Sequence, residues 1–400
     1  MKNHDVITKN VYNILDIIEK AGHEARVVGG AVRNFFLDLL ISDTDIATTS
    51  LPSESIDIFQ KNGVQVIPTG INYGTVTVIY EGVPYEITTL REDVQTFGRR
   101  AIVKYSKSFE IDSQRRDFTI NAIYMNKNGK IFDYHGGLLD ISERKIKFIG
   151  DARQRIREDY LRILRYFRFV AYYGGYNFDD DYLRIIEEEK SGVLQLSSER
   201  IWDEFRKIFM LQDSYKIISP MKSILDELFQ LEYDSLGAAQ KLGIFSELSA
   251  HERFSLLLKF SKISQNQLIK QFNFPREIKE MQKMQLNETG LIQLKKQLKL
   301  LAQKNRKFFI AFAAVSIFRA GQGKEKVCSL IDKLKNFCDS LFVNFDFRAQ
   351  RLKKYHLSSE ELKNIMIATK NYWLNSENDL SSDDCEKFAN SLIEKFSAKH

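Results

Sequence analysis

Between residues 24 and 90 the apolar positions fall in short β-branched runs bounded by glycine: EARVVGG (24–30), GVQVIPTG (63–70), YGTVTVIYEG (73–82) and VPYEITTL (83–90). Such runs predict strands, and YEG between Thr75–Ile79 and Pro84–Leu90 predicts a hairpin turn. In the intervals, Ala31–Leu40 and Pro52–Asn62 carry apolar residues at helical spacing. Alternation of this kind predicts an α/β or α+β domain. From about residue 150 the pattern turns helical and stays so; there only Pro220 and Pro275 remain, each between predicted helices. SENDLSSDD (376–384) reads as a loop, and no repeat of fixed period is visible.

A chain of 400 residues exceeds what one core usually serves, so two to four domains are expected. The hydrophobic share of 44% is ordinary for a globular protein. No apolar run reaches membrane-spanning length, and MKNHDVITKN lacks the apolar stretch of a secretory signal. Cys328, Cys338 and Cys385 form neither a CxxC pair nor an even-numbered framework. A reducing, cytoplasmic setting without a membrane partner is therefore expected. The six histidines are scattered, which argues against a zinc site.

Charge adds an asymmetry. The net charge is +6, with roughly +11 on residues 241–400 and roughly −5 on residues 1–240. The densest basic run, LKKQLKLLAQKNRKFF, holds Lys295, Lys296, Lys299, Lys304, Arg306 and Lys307 without an acidic residue. It is either a solvated helix face or a surface for an anionic partner such as RNA.

The candidate chemistry lies near the N-terminus. Asp43-Thr44-Asp45 reads as a short strand whose period of two sends both carboxylates to one face. Glu86 in PYEITTL reads as a strand residue opposite Tyr85, Ile87 and Thr89. If the two strands are neighbours, three carboxylates converge. Like charges so close repel unless a cation intervenes. Carboxylate oxygens suit Mg²⁺, and two such ions can clamp a phosphoryl displacement. The competing reading is a turn with solvated aspartates.

Gly29 and Gly30 follow the strand ARVV and open a helical run. Glycine allows backbone to approach a phosphate, and a helix start offers free N–H donors. Arg33, one turn in, can reach the same phosphates. Strand, Gly-Gly turn, helix with arginine and then DTD together describe a nucleotide-plus-metal site.

The stretch GGAVRNFFLDLLISDTDIAT resembles the signature of nucleotidyltransferases with a polymerase β-like head. More narrowly it resembles the class II tRNA nucleotidyltransferases (CCA-adding enzymes) and the bacterial poly(A) polymerases. EITTLREDV (86–94), RRDFTINAIYM (115–125), FDYHGGLLDI (132–141), RIREDYLRILRYFRF (155–169) and SERIWDEFRKIF (198–209) follow in the family's order. The resemblance covers roughly residues 25–210.

It implies that Asp43 and Asp45 bind metal, with Glu86 as third catalytic carboxylate and two Mg²⁺ ions as cofactor. Gly30 and Arg33 match positions at the incoming triphosphate, beside Gly29; Arg115, Arg116, Asp117 and Asn121 match the block that handles ribose and phosphates. Asp117 and Asn121, four apart, are expected to share a helix face. Ile156, Tyr160, Ile163, Leu164 and Phe167 form an apolar stripe on a predicted helix that also carries Asp159, Arg162, Arg165 and Arg168. By spacing alone, Asp159 and Arg162 could be a surface ion pair. The resemblance makes them a side-chain template for the base. Cytosine and adenine each present an amino donor beside an unprotonated ring nitrogen, which a carboxylate and a guanidinium complement; uracil and guanine present the reverse.

The implied fold is α+β: a polymerase β-like head at 1–137, a helical neck with base recognition at 138–214, a helical body at 215–330 and a helical tail at 331–400. The implied reaction adds C, C and A to the 3′ end of tRNA from CTP and ATP, releasing pyrophosphate, with no protein partner evident. A poly(A) polymerase or a CC-only or A-only enzyme is the near alternative, and a non-catalytic RNA-binding protein the distant one. The chain departs from the family pattern at Asn34, where Asp is usual, and at Tyr73 and Arg100, where His is frequent; Arg100 falls in the stretch 93–109 that matches the family's mobile loop.

Overall fold

A computed structural model describes the chain except residues 1–4, 98–99, 232–237, 240, 287–290, 301–302, 341–347, 356, 377–379 and 398–400, and without the side chains of some others, Arg100 and Lys304 among them. It forms two compact units, 1–228 and 229–400.

The first unit begins with α1 (Lys9–Lys20), capped by Thr8, whose Oγ1 accepts from the Val11 N–H. Val11, Ile14, Leu15 and Ile18 recur at helical spacing and are buried. Next come β1 (Ala25–Val28), α2 (Gly30–Phe36), β2 (Asp45–Thr48), α3 (Pro52–Lys61), β3 (Gln65–Ile67), β4 (Thr75–Tyr80) and β5 (Val83–Thr89). The predicted β4–β5 hairpin forms, turning on Glu81 and Gly82, both at positive φ (50° and 76°). That pair of angles is what a tight two-residue turn between twisted strands requires. The helix expected over Ala31–Leu40 is shorter: the chain leaves it at Leu37, and Asp38 takes φ 53°.

β6 (Arg91–Phe97) and β7 (Arg100–Tyr105) make a separate two-stranded ribbon. After α4 (Phe109–Gln114), β8 (Ile123–Met125) and β9 (Ile131–Asp133) complete a seven-stranded sheet in the order β3-β4-β5-β2-β1-β8-β9. Its pairings are antiparallel except β2 with β5. The mixed sheet with helices, followed by helical structure, matches the α+β expectation.

Helices take over from α5 (Gly137–Ser142) onward, with α6 (Ala152–Glu158), α7 (Leu161–Tyr173), α8 (Asp180–Glu189) and α9 (Ser198–Met210). The single helix expected through REDYLRILRYFRF is two. Asp159 is extended (φ −155°) and its Oδ1 accepts the Leu161 N–H at 3.1 Å, so its carboxylate caps the start of α7 instead of continuing α6. Ile156, Ile163, Leu164 and Phe167 are buried as the stripe predicts, and Tyr160, in the break, is half-buried.

The second unit is helical. Phe229, Phe254, Phe272 and Phe274 stack and cross edge-on in one core. Leu352, Ile365, Trp373, Cys385, Ala389 and Ile393 form a smaller one under helices Ser359–Asn375 and Ser382–Ser397. Among the described residues no helix is long and apolar enough to cross a membrane.

Candidate active site

β2 organises the site. It runs antiparallel to β1 and parallel to β5, which sets Asp45 opposite Val28 on one side and Glu86 on the other. Register partners on adjacent strands project to the same sheet face, so the two carboxylates are neighbours. Val28 is followed at once by Gly29 and Gly30, and the carboxylate pair lies beside that turn. Asp43 precedes the strand, which starts at Asp45, and so does not share a strand face with it as the period of two suggested. It is exposed, and Ser42 Oγ donates to its Oδ2 at 3.0 Å.

The expected three-carboxylate cluster is therefore looser than predicted: among the described residues, no three His, Cys, Asp or Glu side chains are gathered closely enough to hold a metal alone. The electrostatics still favour a cation. Burial pushes the Asp45 carboxyl above its ordinary pKa, the charges of Glu86 and Asp43 push it further, and Arg116 opposes them. Oxygen donors held at like charge fit a hard divalent ion, which takes one or two protein carboxylates and completes its shell with substrate phosphates and water.

Gly29 sits at φ 77°, a conformation strained for any side chain, and a Cβ there would point toward the Arg116 guanidinium. From α2, Arg33 turns inward and is 7% exposed. Its Nη1 donates to Asn121 Oδ1 at 2.5 Å, its Nη2 to Tyr173 Oη at 2.8 Å, and Nε and Nη2 to Asn34 Oδ1 at 3.2 and 2.9 Å. Tyr173 also lies under the guanidinium, 4.2 Å from its ring centre. Burial lowers the Arg33 pKa, countered by Tyr173 and Asp117. None of the hydrogen-bond partners is a carboxylate. Asn34 thus supplies the orientation that the usual Asp would, without its charge.

The RRDFTIN block is a buried network. Asp117 and Asn121 do not share an α-helix; Asp117 precedes a 3₁₀ turn (Thr119–Asn121). They nonetheless meet, Asn121 Nδ2 donating to Asp117 Oδ1 at 3.0 Å. Arg165 donates to Asp117 Oδ2 through Nε and Nη2 at 2.7 and 2.5 Å. Burial opposes the Asp117 charge, but Arg165 and the bonds from Asn121 and the Phe118 N–H hold its carboxyl far below the usual range. One chain of bonds thus runs Arg33–Asn121–Asp117–Arg165, from the glycine turn to α7. Gly137 supports it from below: a Cβ there would lie 2.4 Å from the Thr119 carbonyl oxygen, so only glycine lets α5 approach the turn that presents Asn121.

Asp112 was not among the sequence candidates. It is buried and accepts Arg115 Nε at 2.8 Å, Arg116 Nη2 at 3.0 Å and Tyr124 Oη at 2.8 Å. Burial opposes its ionisation, yet Arg116, Arg115 and Tyr124 bring its pKa down to about 2. The spacing DSQRR, with arginines three and four residues on, is the signal that could have found it.

At the α6–α7 break, Asp159 and Arg162 are not a surface ion pair with each other. Asp159 Oδ2 accepts Arg200 Nη2 at 2.7 Å. Arg162 is 9% exposed and donates to the Arg155 carbonyl at 2.6 Å and Glu158 Oε2 at 2.8 Å. Arg155 in turn donates to the carbonyls of Arg115 and Arg116 at 2.5 and 2.6 Å, fastening α6 to the RRD block. Arg168 pairs with buried Glu204 at 2.5 Å. Glu158, Arg200 and Glu204 are therefore partners that sequence reasoning missed, and only the third dimension brings them in.

The basic run divides. Lys299 is 3% exposed, its ammonium donating to the Trp373 carbonyl at 2.8 Å and to Ser376 Oγ at 2.8 Å. Arg306 is 5% exposed. Neither presents a surface to RNA, contrary to expectation. Lys295 and Lys296 are half-buried on the helix Leu291–Leu300, Lys307 is exposed, and the Lys304 side chain lies outside the described residues.

Residues 25–147 match the family model of the poly A polymerase head domain. The chain is 36% identical to the CCA tRNA nucleotidyltransferase 1, mitochondrial, of Homo sapiens over 65% of its own length and 56% of that protein's. It is 39% identical to the CCA-adding enzyme of Bacillus cytotoxicus over 54% of its length and 53% of that protein's. The chain thus spans about half the length of the curated relatives it matches. The structure superposes on Bacillus stearothermophilus CCA-adding enzyme in complex with CTP with TM-score 0.70, covering 100% of both chains at 22% identity. On Thermotoga maritima CCA-adding enzyme complexed with tRNA the TM-score is 0.69 at 16% identity, over 97% of this chain and 98% of that one. The whole chain has that fold.

Proposed function

We propose that the protein is a template-independent tRNA nucleotidyltransferase adding C, C and A from CTP and ATP, a reading that starts from the match of residues 25–147 to the poly A polymerase head domain. The observation that carries the reading is the register of Asp45 with Glu86 beside the Gly29–Gly30 turn. The similarity to proteins named for CCA addition supports the substrate class.

The primer's 3′-hydroxyl oxygen attacks the α-phosphorus of the incoming nucleotide. A new phosphodiester bond forms as the bond to the bridging α–β oxygen breaks, and pyrophosphate leaves. Asp43 and Asp45, beside Glu86, would hold two Mg²⁺ ions, whose charge would ease loss of the hydroxyl proton to solvent and stabilise the departing oxygen. The Gly30 N–H, the close backbone approach that Gly29 and Gly30 allow, and the Arg33 guanidinium, which bonds to no carboxylate, bind the triphosphate. Arg115 and Arg116, set by Asp112, serve the phosphates, and the Asp117–Asn121 pair offers acceptor and donor to the ribose. Asp159 and Arg162, with Arg165 and Arg168 on the same neck, present the base-reading edge. In this reading residues 1–137 catalyse, 138–214 select the base, 215–330 present Lys295, Lys296 and Lys307 to the tRNA, and the tail at 331–400 binds it. The relatives' names are mitochondrial as well as bacterial, so the cytoplasmic setting is not part of the proposal.

The test is incubation of the purified chain with tRNA lacking its 3′ end, Mg²⁺ and each nucleotide in turn, with product sequencing. Ordered C, C, A addition is expected. A homopolymer of A would make it a poly(A) polymerase, a truncated product a CC-only or A-only enzyme, and no product with intact tRNA binding a non-catalytic RNA-binding protein.

A further inference from the structure

Arg33 keeps its charge without a counter-ion. A guanidinium has five N–H donors. Among the described residues Arg33 aims four bonds at neutral side chains alone, those of Asn34, Asn121 and Tyr173. Burial and the neighbouring Arg165 and Arg168 work against its charge; Tyr173 and Asp117 work for it, Asp117 without a bond. A buried cation with neutral partners is costly until an anion completes it. The anion has a place: a Cβ on Gly30 would lie 3.6 Å from Arg33 Nη2, so that nitrogen borders the glycine turn.

The seat of the guanidinium is built by α7. Phe169 and Tyr173, four residues apart, share one face of that helix, with ring centres 5.4 Å apart. The guanidinium rests against both, 5.3 Å from the Phe169 centre and 4.2 Å from that of Tyr173. An aromatic face holds a cation without cancelling its charge. Only Tyr173 adds an acceptor: its Oη takes the Nη2 bond at 2.8 Å, on the nitrogen that borders Gly30. Asn34 grips the guanidinium from α2 itself and Asn121 from the 3₁₀ turn, so Tyr173 is its tie to α7. We propose that Tyr173 is a positioning residue for the nucleotide's triphosphate, its hydroxyl fixing the Arg33 guanidinium while leaving the charge to the phosphates. This rests on the nucleotide-binding part of the proposed function and on neither the RNA nor turnover. Because α7 also carries Arg162, Arg165 and Arg168, one helix sets the proposed base-reading edge and, at its last residue, the phosphate anchor.

The test is calorimetric titration of the purified full chain, without RNA, by CTP, ATP and inorganic tripolyphosphate in the presence of Mg²⁺. Tyr173→Phe keeps the ring against Arg33 and removes only the acceptor. It should melt as the parent does and raise Kd for all three ligands about five-fold, the scale of one hydrogen bond to a charged group. A role confined to the fold would instead lower the melting temperature and leave the three Kd values alone. In turnover the loss should fall on KM for CTP and ATP equally, with kcat little changed, since the base contacts are untouched. In an Asn34→Asp background a carboxylate holds Arg33 by itself, so adding Tyr173→Phe should change Kd by less than about two-fold. The proposal is overturned if the parent binds none of the three ligands, if any of them binds Tyr173→Phe as tightly as the parent, or if the loss is undiminished beside Asn34→Asp. A parent that binds CTP and ATP yet extends no tRNA refutes the proposed function and leaves the role of Tyr173 standing.

Discussion

Asn34 Oδ1 accepts two bonds from the guanidinium of its own neighbour Arg33, at 3.2 Å from Nε and 2.9 Å from Nη2, and leaves its charge unmatched. An amide there orients the arginine; a carboxylate would orient and neutralise it. Asn34→Asp should therefore keep the fold and stabilise the head by about 1 kcal/mol through a charge-assisted bond. The same change should raise KM for both nucleotides about five-fold with little effect on kcat, because Arg33 then offers less to the triphosphate. Steady-state kinetics with urea unfolding checks both signs, and an unchanged KM would place Arg33 outside the phosphate site.

Asp45 carries the second prediction. A carboxyl whose folded pKa is raised leaves the fold unpenalised below its unfolded pKa and weakens it once pH rises through the raised value. Metal-free protein should thus gain stability as pH falls through the range just above an ordinary aspartate. Asp45→Asn should remove that pH dependence and, near neutrality without metal, raise Tm by about 1–3 °C, since like-charge relief at a partly solvated site is worth about 1 kcal/mol or less. Mg²⁺ should then stabilise the parent and not the variant, which adds no nucleotide. Thermal melts across pH with and without Mg²⁺ decide; a variant that still responds to Mg²⁺ and turns over would clear Asp45 of metal binding.

Base choice is separable from neck stability. On the proposed base reading, Asp159→Ala removes the acceptor for the amino group, so UTP and GTP should gain on CTP and ATP by roughly five- to a hundred-fold, the usual range for one bidentate base contact. Arg200→Ala should shift the ratios the same way but less, because Asp159 Oδ2 loses the 2.7 Å bond that holds it. On the same reading, Arg162→Ala should lower CTP and ATP use and also cost about 1–3 kcal/mol, since the Arg155 carbonyl and half-buried Glu158 each lose a donor while Glu158 keeps its pairing with Arg155. Competition assays with all four nucleotides, alongside denaturation curves, read these apart. Uniform loss for every nucleotide in Asp159→Ala would make the pair purely architectural.

The basic run should behave as two populations. Lys299→Met should destabilise the second unit by about 1–3 kcal/mol, through the Trp373 and Ser376 acceptors it abandons, without altering the salt dependence of tRNA binding. Lys295→Ala with Lys296→Ala should do the opposite, flattening the slope of log K against log salt by up to about one unit per lost phosphate contact. Binding titrations from low to moderate salt test this, and equal slopes for all variants would count the lysines as a solvated helix face.

What the sequence determined by itself was local. The β-branched runs with their glycine turns dictated the strands and the β4–β5 hairpin, and helical spacing dictated most of α2, α3 and the apolar stripe of α6 and α7, because these depend on backbone propensity and on which face is apolar. The block order pointed to the residues of the site. Tertiary structure decided who partners whom. Asp45 meets Glu86 only because β2 and β5 pair in parallel across some forty residues of chain. Asp159 turns to Arg200 because its own carboxylate caps α7 and breaks the helix in which it was expected to face Arg162. Lys299 and Arg306 are buried although their run is uninterruptedly basic, since burial follows from which helix face the fold covers, and Lys299 is covered against Trp373 and Ser376 oxygens that accept its protons. Periodicity is a property of neighbours in sequence; hydrogen-bond satisfaction and charge pairing are properties of neighbours in space.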